Sequence, residues 1–169
     1  MVSPGSEEAR MKREVRSMAT LVVVPCGMAK IWDRYPDAGP TPARAAYTGS
    51  PFKVNREYAE TFADRWVILS ARYGFVEPGF IIPENYNVTF NDPGTAPICL
   101  DELRRQVEEK ALDHFVTVVA LGSLTYADKV AAAFAGKQSK VCAPTGGLPI
   151  GKMMGAVRAA IDSGRAFNC

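Results

Sequence analysis

Three short runs of nearly unbroken apolar, β-branched residues constrain this chain most: "TLVVVP" (Thr20–Pro25), "WVILSA" (Trp66–Ala71) and "FVTVVAL" (Phe115–Leu121). A strand with one wet face alternates apolar and polar residues. A strand covered on both faces reads as a continuous apolar run. "SKVCAP" (Ser139–Pro144) carries the same signal more weakly. Helical spacing fills the gaps between the runs. In "PFKVNREYAETFADR", Phe52, Tyr58, Ala59 and Phe62 recur on one helical face, and Pro51 stands near the first turn, where proline is tolerated. "CLDELRRQVEEKALDHF" spaces Leu100, Leu103, Val107 and Leu112 as a helix does, with Asp101 and Glu102 near the positive end of its dipole. "SLTYADKVAAAFAG" offers Ser123 as an N-cap and Gly136 beyond the C-terminus, and "PIGKMMGAVRAAIDSG" stops at Gly164.

Strands alternating with helices predict an α/β fold: a three-layer αβα sandwich around a four-stranded parallel sheet. Right-handed crossovers restrict the topology, and the doubly wound order 2-1-3-4 is the preferred choice among those that remain. That order sets the first and third strands side by side where the winding reverses. Ligands of open α/β sheets bind beyond the carboxyl ends of the strands at such a switch point. Two loops flank it here, Cys26–Asp33 and Gly122–Tyr126. The long segment from Arg72 to Ile98 reaches the same rim, and its Tyr73, Phe75, Phe80, Tyr86 and Phe90 make it too aromatic for disorder.

The remaining 1–18 read as a charged, mobile extension without a secretory apolar core, leaving a single domain over 19–169. No apolar run approaches the ~20 residues that span a bilayer, so a cytoplasmic location without membrane contact is expected. Cys26, Cys99, Cys142 and Cys169 form no CxxC pair, and His114 is the single histidine, so reduced thiols and no metal are expected. Charge is divided along the chain. Eight acids stand against three bases from Glu77 to Asp113, and five bases against one acid from Lys137 to Cys169. Lys30, Arg34, Arg44, Lys53 and Arg56 form a second basic group, a distribution that suits a phosphate-bearing ligand or a solvated surface.

Several residues near the predicted crevice carry chemistry. Asp33 either activates a water or stabilises a cationic sugar, or else pairs with Arg34 or caps a turn. Lys30 and Trp32 shape its surroundings. Cys26 would need a base to act as a nucleophile, yet His114 precedes the third strand, roughly 20 Å away across the sheet at ~3.3 Å per residue. Cys26 therefore reads as a small residue packed at a strand end. Arg44, Tyr47, Thr48, Ser50, Lys53 and Arg56 offer phosphate donors beside an aromatic, or else a capped helix start with a basic face. Ser70, Tyr73 and Gly74 follow the second strand. Tyr86, Asn87 and Thr89 follow further on, and the Asn87 amide can either read a base edge or hold its own loop. "PTGGLPIGK" lacks the Ser or Thr of a phosphate loop, because Met153 stands there.

Three motifs together resemble a small family of mostly uncharacterised bacterial and phage proteins. They are "PCGMAKIWD", "ARAAYTGSPFKVNREYAE" and "LSARYGFVEP". The resemblance runs from about Leu21 to Phe90, with a weaker echo through Tyr126. The first loop also resembles the Pro-Cys-Ser-x-x-Lys motif of archaeosine synthases, a superfamily similar in fold to uracil-DNA glycosylases. Related small proteins include an anti-phage DNA glycosylase that removes glucosylated cytosines.

The resemblance implies a uracil-DNA glycosylase-like fold and cleavage of the N-glycosidic bond of a modified base, with DNA as partner, no cofactor, and phage defence as the setting. Asp33 is the nearest counterpart of the glycosylases' aspartate after the first strand. Their late-loop histidine has no counterpart, which leaves Asn87, Tyr126 or backbone amides to help the leaving base. The expected site comprises Asp33 and Asn87 as catalytic residues. Its expected binding residues are Cys26, Gly27, Lys30, Ser70, Tyr73, Ser123 and Tyr126, with Arg44, Lys53 and Arg56 on phosphates and Tyr47, Phe52 and Tyr86 stacking. The alternatives are a nucleoside or tRNA base-modification enzyme, and a non-catalytic nucleotide- or nucleic-acid-binding module.

Overall fold

The computed structural model describes residues 4–17 and 19–169. At its centre lies β1 (Thr20–Pro25), hydrogen-bonded in parallel to β3 (Arg65–Ser70) on one side and β6 (Thr117–Ala120) on the other. β7 (Lys140–Cys142) extends the parallel sheet beyond β6. These four strands stand in the expected order 2-1-3-4. The sheet has five strands rather than four, because β4 (Gly74–Val76) folds back antiparallel on β3.

The fifth strand arises from a turn that the apolar pattern conceals. Ser70 ends β3, and its Oγ accepts hydrogen bonds from the backbone N–H groups of Arg72 (3.2 Å) and Tyr73 (3.1 Å). Gly74 then takes φ +77°, a conformation that favours glycine. Three residues are too few to show a period, so "GFV" carries no strand signal of its own. The outer edge of β4 is held by α5 (Leu100–Glu109) and the residue after it. Gln106 Oε1 accepts the Phe75 N–H at 2.7 Å, Gln106 Nε2 donates to the Tyr73 carbonyl at 3.0 Å, and Lys110 Nζ donates to the Phe75 carbonyl.

Helices cover both faces. Alternate residues of β1 point to opposite sides, as a pleated strand requires. Val22 and Val24 join the core beneath α4 (Ser50–Phe62) and α7 (Ile150–Ser163), with Phe52, Tyr58 and Val157. Leu21 and Val23 join the core beneath α5 and α6 (Leu124–Ala133), with Leu103, Val107 and Val130. Both faces of β1 are dry, which is why its sequence does not alternate.

Smaller elements build the rim. α2 (Ile31–Arg34) follows the loop after β1, α3 (Ala43–Ala46) precedes α4, and β2 (Thr41–Pro42) pairs antiparallel with β5 (Ile81–Ile82). The expected helix through residue 115 ends at Glu109, since Ala111 adopts φ 54° and a single 3-10 turn, Leu112–His114, follows. His114 is exposed and precedes β6, on the opposite end of the sheet from the loops after β1 and β6.

At the termini, the thiol expectation is revised. Residues 4–17 of the expected extension form a helix, α1 (Pro4–Ser17), while 1–3 and 18 lie outside the described residues. The cysteines are not all reduced thiols: Cys142 and Cys169 form a disulfide with Cα atoms 5.8 Å apart, leaving Cys26 and Cys99 free. The chain reverses at Gly164, Phe167 stacks on Tyr58 with centroids 5.1 Å apart, and the Phe167 N–H donates to Tyr58 Oη at 2.9 Å. That docking carries Cys169 to β7. Among the described residues, no helix is long and apolar enough to cross a membrane.

Candidate functional site

β1 and β6 run side by side to their carboxyl ends, and the backbone there is shaped for an opening. Gly122 follows β6 with φ +97°, and a Cβ at that position would meet the Pro25 ring of β1. The buried Thr145 hydroxyl locks the same turn, lying 3.2 Å from the Gly122 nitrogen and 3.3 Å from its carbonyl.

Beside this seam is a pocket of about 460 Å³. Three segments line it: Cys26, Gly27, Met28, Lys30 and Asp33 after β1; Asn85, Tyr86, Asn87, Val88, Thr89 and Asn91 of the long connection; and Tyr126 of α6. The volume falls within the ~300–1,000 Å³ of small-molecule sites. The long connection is pinned rather than loose. Thr95 Oγ1 bridges the Thr89 N–H and carbonyl at 3.0 Å each, Asp92 caps Gly94, and the Phe90 ring meets Tyr126 edge-on at 5.1 Å.

Tyr86 organises the floor. Its hydroxyl is hydrogen-bonded to Ser70 Oγ (2.8 Å) and to the Tyr47 hydroxyl, and its ring meets Tyr73 edge-on at 5.5 Å. Phe52 packs beneath Tyr47 with centroids 5.1 Å apart. Burial pushes the phenols of Tyr47, Tyr86 and Tyr126 well above the usual tyrosine range. The same desolvation raises the Cys26 thiol, whose Sγ lies 3.6 Å from Tyr126 Oη. All four groups are therefore neutral at ordinary pH. The Tyr73 hydroxyl is buried without a hydrogen-bond partner among the described residues.

The pocket's charged side chains are Lys30 and Asp33, and the two are locked together through the backbone. Asp33 Oδ2 accepts the Lys30 N–H at 2.8 Å, and the Asp33 N–H donates to the Lys30 carbonyl at 3.0 Å. Asp33 thus both caps the α2 turn and lines the pocket. Lys30 is only 6% exposed. Its Nζ donates to the Met28 carbonyl at 3.2 Å and sits 4.6 Å from the Tyr86 ring centroid. Burial lowers its pKa from the ordinary lysine value. A cation over an aromatic face is attracted by the ring quadrupole.

The expected site residues fall into three groups. Cys26, Gly27, Lys30, Asp33, Tyr86, Asn87 and Tyr126 line one pocket. Tyr47, Ser70, Tyr73 and Phe52 lie in the shell around Tyr86. Arg44, Lys53, Arg56 and Ser123 are not among the lining residues. Arg56 pairs with Glu60 at 2.6 Å and donates to the Arg44 carbonyl, and with Lys53 it lines a separate shallow groove beside Glu57 and Glu60. The basic side chains of α4 stand away from its buried Phe52, Tyr58 and Ala59 face, so helical periodicity turns them from the crevice. Met28, Asn85, Val88 and Asn91 also line the pocket and escape the sequence reading. Every residue from Asn85 to Thr89 lines the pocket in an irregular segment, so no period marks these positions in the sequence.

With this geometry, comparison with known proteins is informative. The solved structure of AF0587, a protein of unknown function, has a TM-score of 0.43 and 14% identity to this chain. That alignment covers 93% of this chain and 51% of the other, so this chain spans about half its length. The uncharacterized protein YfjM of Bacillus subtilis (strain 168) is 39% identical over 146 residues, which is 86% of this chain and 97% of that protein. Residues 21–159 match a family of unknown function. They contain every residue of the pocket, and the chain belongs to that family, DUF6884.

Proposed function

We propose that the pocket binds a nucleobase and that the protein cleaves the N-glycosidic bond of a modified base in DNA. One observation carries this reading: a base-sized pocket at the switch point holds the Asn85, Asn87 and Asn91 amides, the Tyr86 and Tyr126 rings and one carboxylate, Asp33. Amides both donate and accept, which suits the edge of a base. The resemblance to glycosylase-like proteins in the Pro-Cys-Gly-x-x-Lys loop agrees in the position of Asp33.

The division of labour follows from chemistry. A base in a duplex has to leave the stack to enter such a pocket. As the glycosidic bond lengthens, positive charge grows on the sugar, and the Asp33 carboxylate stabilises it and directs water. Asn87 and Tyr126 donate to the departing base in place of a histidine. Exposed Leu124, at the α6 start against Gly146 and Gly147, provides an apolar edge of the kind that wedges between bases.

The test is incubation with genomic DNA from phages carrying different base modifications, followed by detection of abasic sites and released bases. Base loss from at least one modified DNA is expected. If no DNA, nucleoside or nucleotide loses a base, the reading fails. A second reading is modification of a base in a nucleoside or tRNA. The absence of Arg44, Lys53 and Arg56 from the pocket lining favours its nucleoside form, because a nucleic-acid grip through those residues would want them near the mouth. A mass change in intact RNA without base release would select this alternative.

A further inference from the structure

Base release leaves the pocket's lysine without a task. Lys30 is buried, its backbone is fixed by Asp33 and by a bridge to Tyr47, and it enters no ion pair among the described residues. An ammonium has three donors, and protein hydrogen bonds account for one, to Met28. Burying an unpaired lysine costs stability, and functional sites are where such costs persist. Desolvation lowers its pKa and raises the share of free amine. A desolvated lysine amine is the nucleophile that forms Schiff bases with carbonyl substrates.

One species in the proposed chemistry carries a reactive carbonyl. A deoxyribose that has lost its base is a hemiacetal at C1′, in equilibrium with the ring-opened aldehyde. We propose that Lys30 captures this aldehyde as an imine and that the protein cleaves the DNA strand at abasic sites. The inference rests on the pocket being a nucleobase site. The Nζ lone pair forms a bond to C1′. The carbonyl oxygen departs as water with both hydrogens of the amine, and solvent protonates the imine. The C2′ proton passes to Asp33, in the same pocket. Its electron pair forms the C2′–C3′ double bond, and the 3′ phosphate leaves with the electrons of the C3′–O bond. Water then hydrolyses the imine and restores the amine. The sequence needs no oxidant or cofactor.

Borohydride trapping tests it. The full chain is mixed with a duplex oligonucleotide carrying one preformed abasic site, and borohydride reduces any imine to a stable secondary amine. The expected result is a covalent adduct that peptide mass spectrometry places on Lys30. Lys30→Met should lose the adduct to background, and the exposed Lys140→Met should retain it. No adduct with the natural chain, or an adduct only on other amines, overturns the inference. Mapping on the natural chain decides the matter even if Lys30→Met folds poorly. Because the abasic site is preformed, the two readings fail separately. Base release from modified DNA without an adduct overturns only the lyase step. An adduct on Lys30 without base release from any DNA overturns only the glycosylase reading.

Discussion

The Lys30 ammonium and the Tyr86 ring face each other at 4.6 Å, and the Tyr86 hydroxyl reaches away from that face to Ser70 and Tyr47. One residue therefore joins the pocket's buried cation to the turn that starts β4. Tyr86→Phe keeps the ring and strands the buried Tyr47 hydroxyl. We expect a loss of about 1–2 kcal/mol in chemical denaturation, the usual cost of an unsatisfied buried group.

Lys30→Met should act in the opposite direction on stability. It keeps an apolar stem and removes a buried, unpaired charge. We expect a gain on the order of 1 kcal/mol at neutral pH. The sign with pH follows from proton binding. Burial lowers the Lys30 pKa in the folded protein, so the unfolded chain holds more protons between that lowered value and the ordinary 10.5. The cost of Lys30 is thus present at neutral pH and fades as pH rises through that interval. Urea denaturation of both proteins from neutral pH upward should show the gain shrinking. The Cys26 thiol, raised by burial, works the other way above its ordinary 9.0, and removing the Lys30 charge, which lowers its pKa, strengthens that effect and shrinks the gain further. A gain that grows with pH would contradict the assignment.

Asp33→Asn separates catalysis from capping. Asparagine can still accept the Lys30 N–H, so the α2 turn should survive and thermal unfolding should barely move. Product formation should fall by about 10²–10³, the scale of one lost electrostatic contact to a transition state. A pure binding module would keep its ligand and show no turnover in either form.

Breaking the Cys142–Cys169 link should destabilise the fold and spare the pocket. The bridge spans 27 positions, and neither cysteine lines the pocket. Cys169→Ser should cost about 3 kcal/mol by loop-entropy arguments. Pocket ligands should bind the variant unchanged at temperatures where it stays folded.

Gly74→Ala should be among the more damaging small substitutions. Alanine is strained at φ +77°, and its Cβ would collide with the Gln106 amide that holds Tyr73 and Phe75. A loss of about 2 kcal/mol or more is expected in thermal or urea unfolding.

The sheet's parallel core was legible because β1, β3 and β6 are dry on both faces, and a dry strand writes itself as a continuous apolar run. The order 2-1-3-4 was a choice among those that right-handed crossovers allow. The hairpin was not legible, since β4 is three residues long and its partners Gln106 and Lys110 lie far along the chain. The pocket was half legible. Its β1 loop and Tyr126 follow from the switch-point rule, whereas Asn85 and Asn91 lie in an irregular segment where no period marks them. Lys53 and Arg56 misled because nearness in sequence to Tyr47 hides the turn of α4, and Arg44 because it belongs to the separate α3 turn before it. The disulfide was illegible because Cys169 reaches β7 only through the docking of Phe167 on Tyr58.

The Gln106 clasp on β4 has a consequence for how copies of this protein meet. An open sheet edge invites another chain to pair with it. Here the outward N–H and carbonyl of Phe75 are already taken by Gln106 and Lys110, and the opposite edge strand β7 is short, with an exposed lysine at its start. Neither border offers a long row of free amides. The sheet is finished at both ends, and crowding in concentrated solution gives it no template on which to grow.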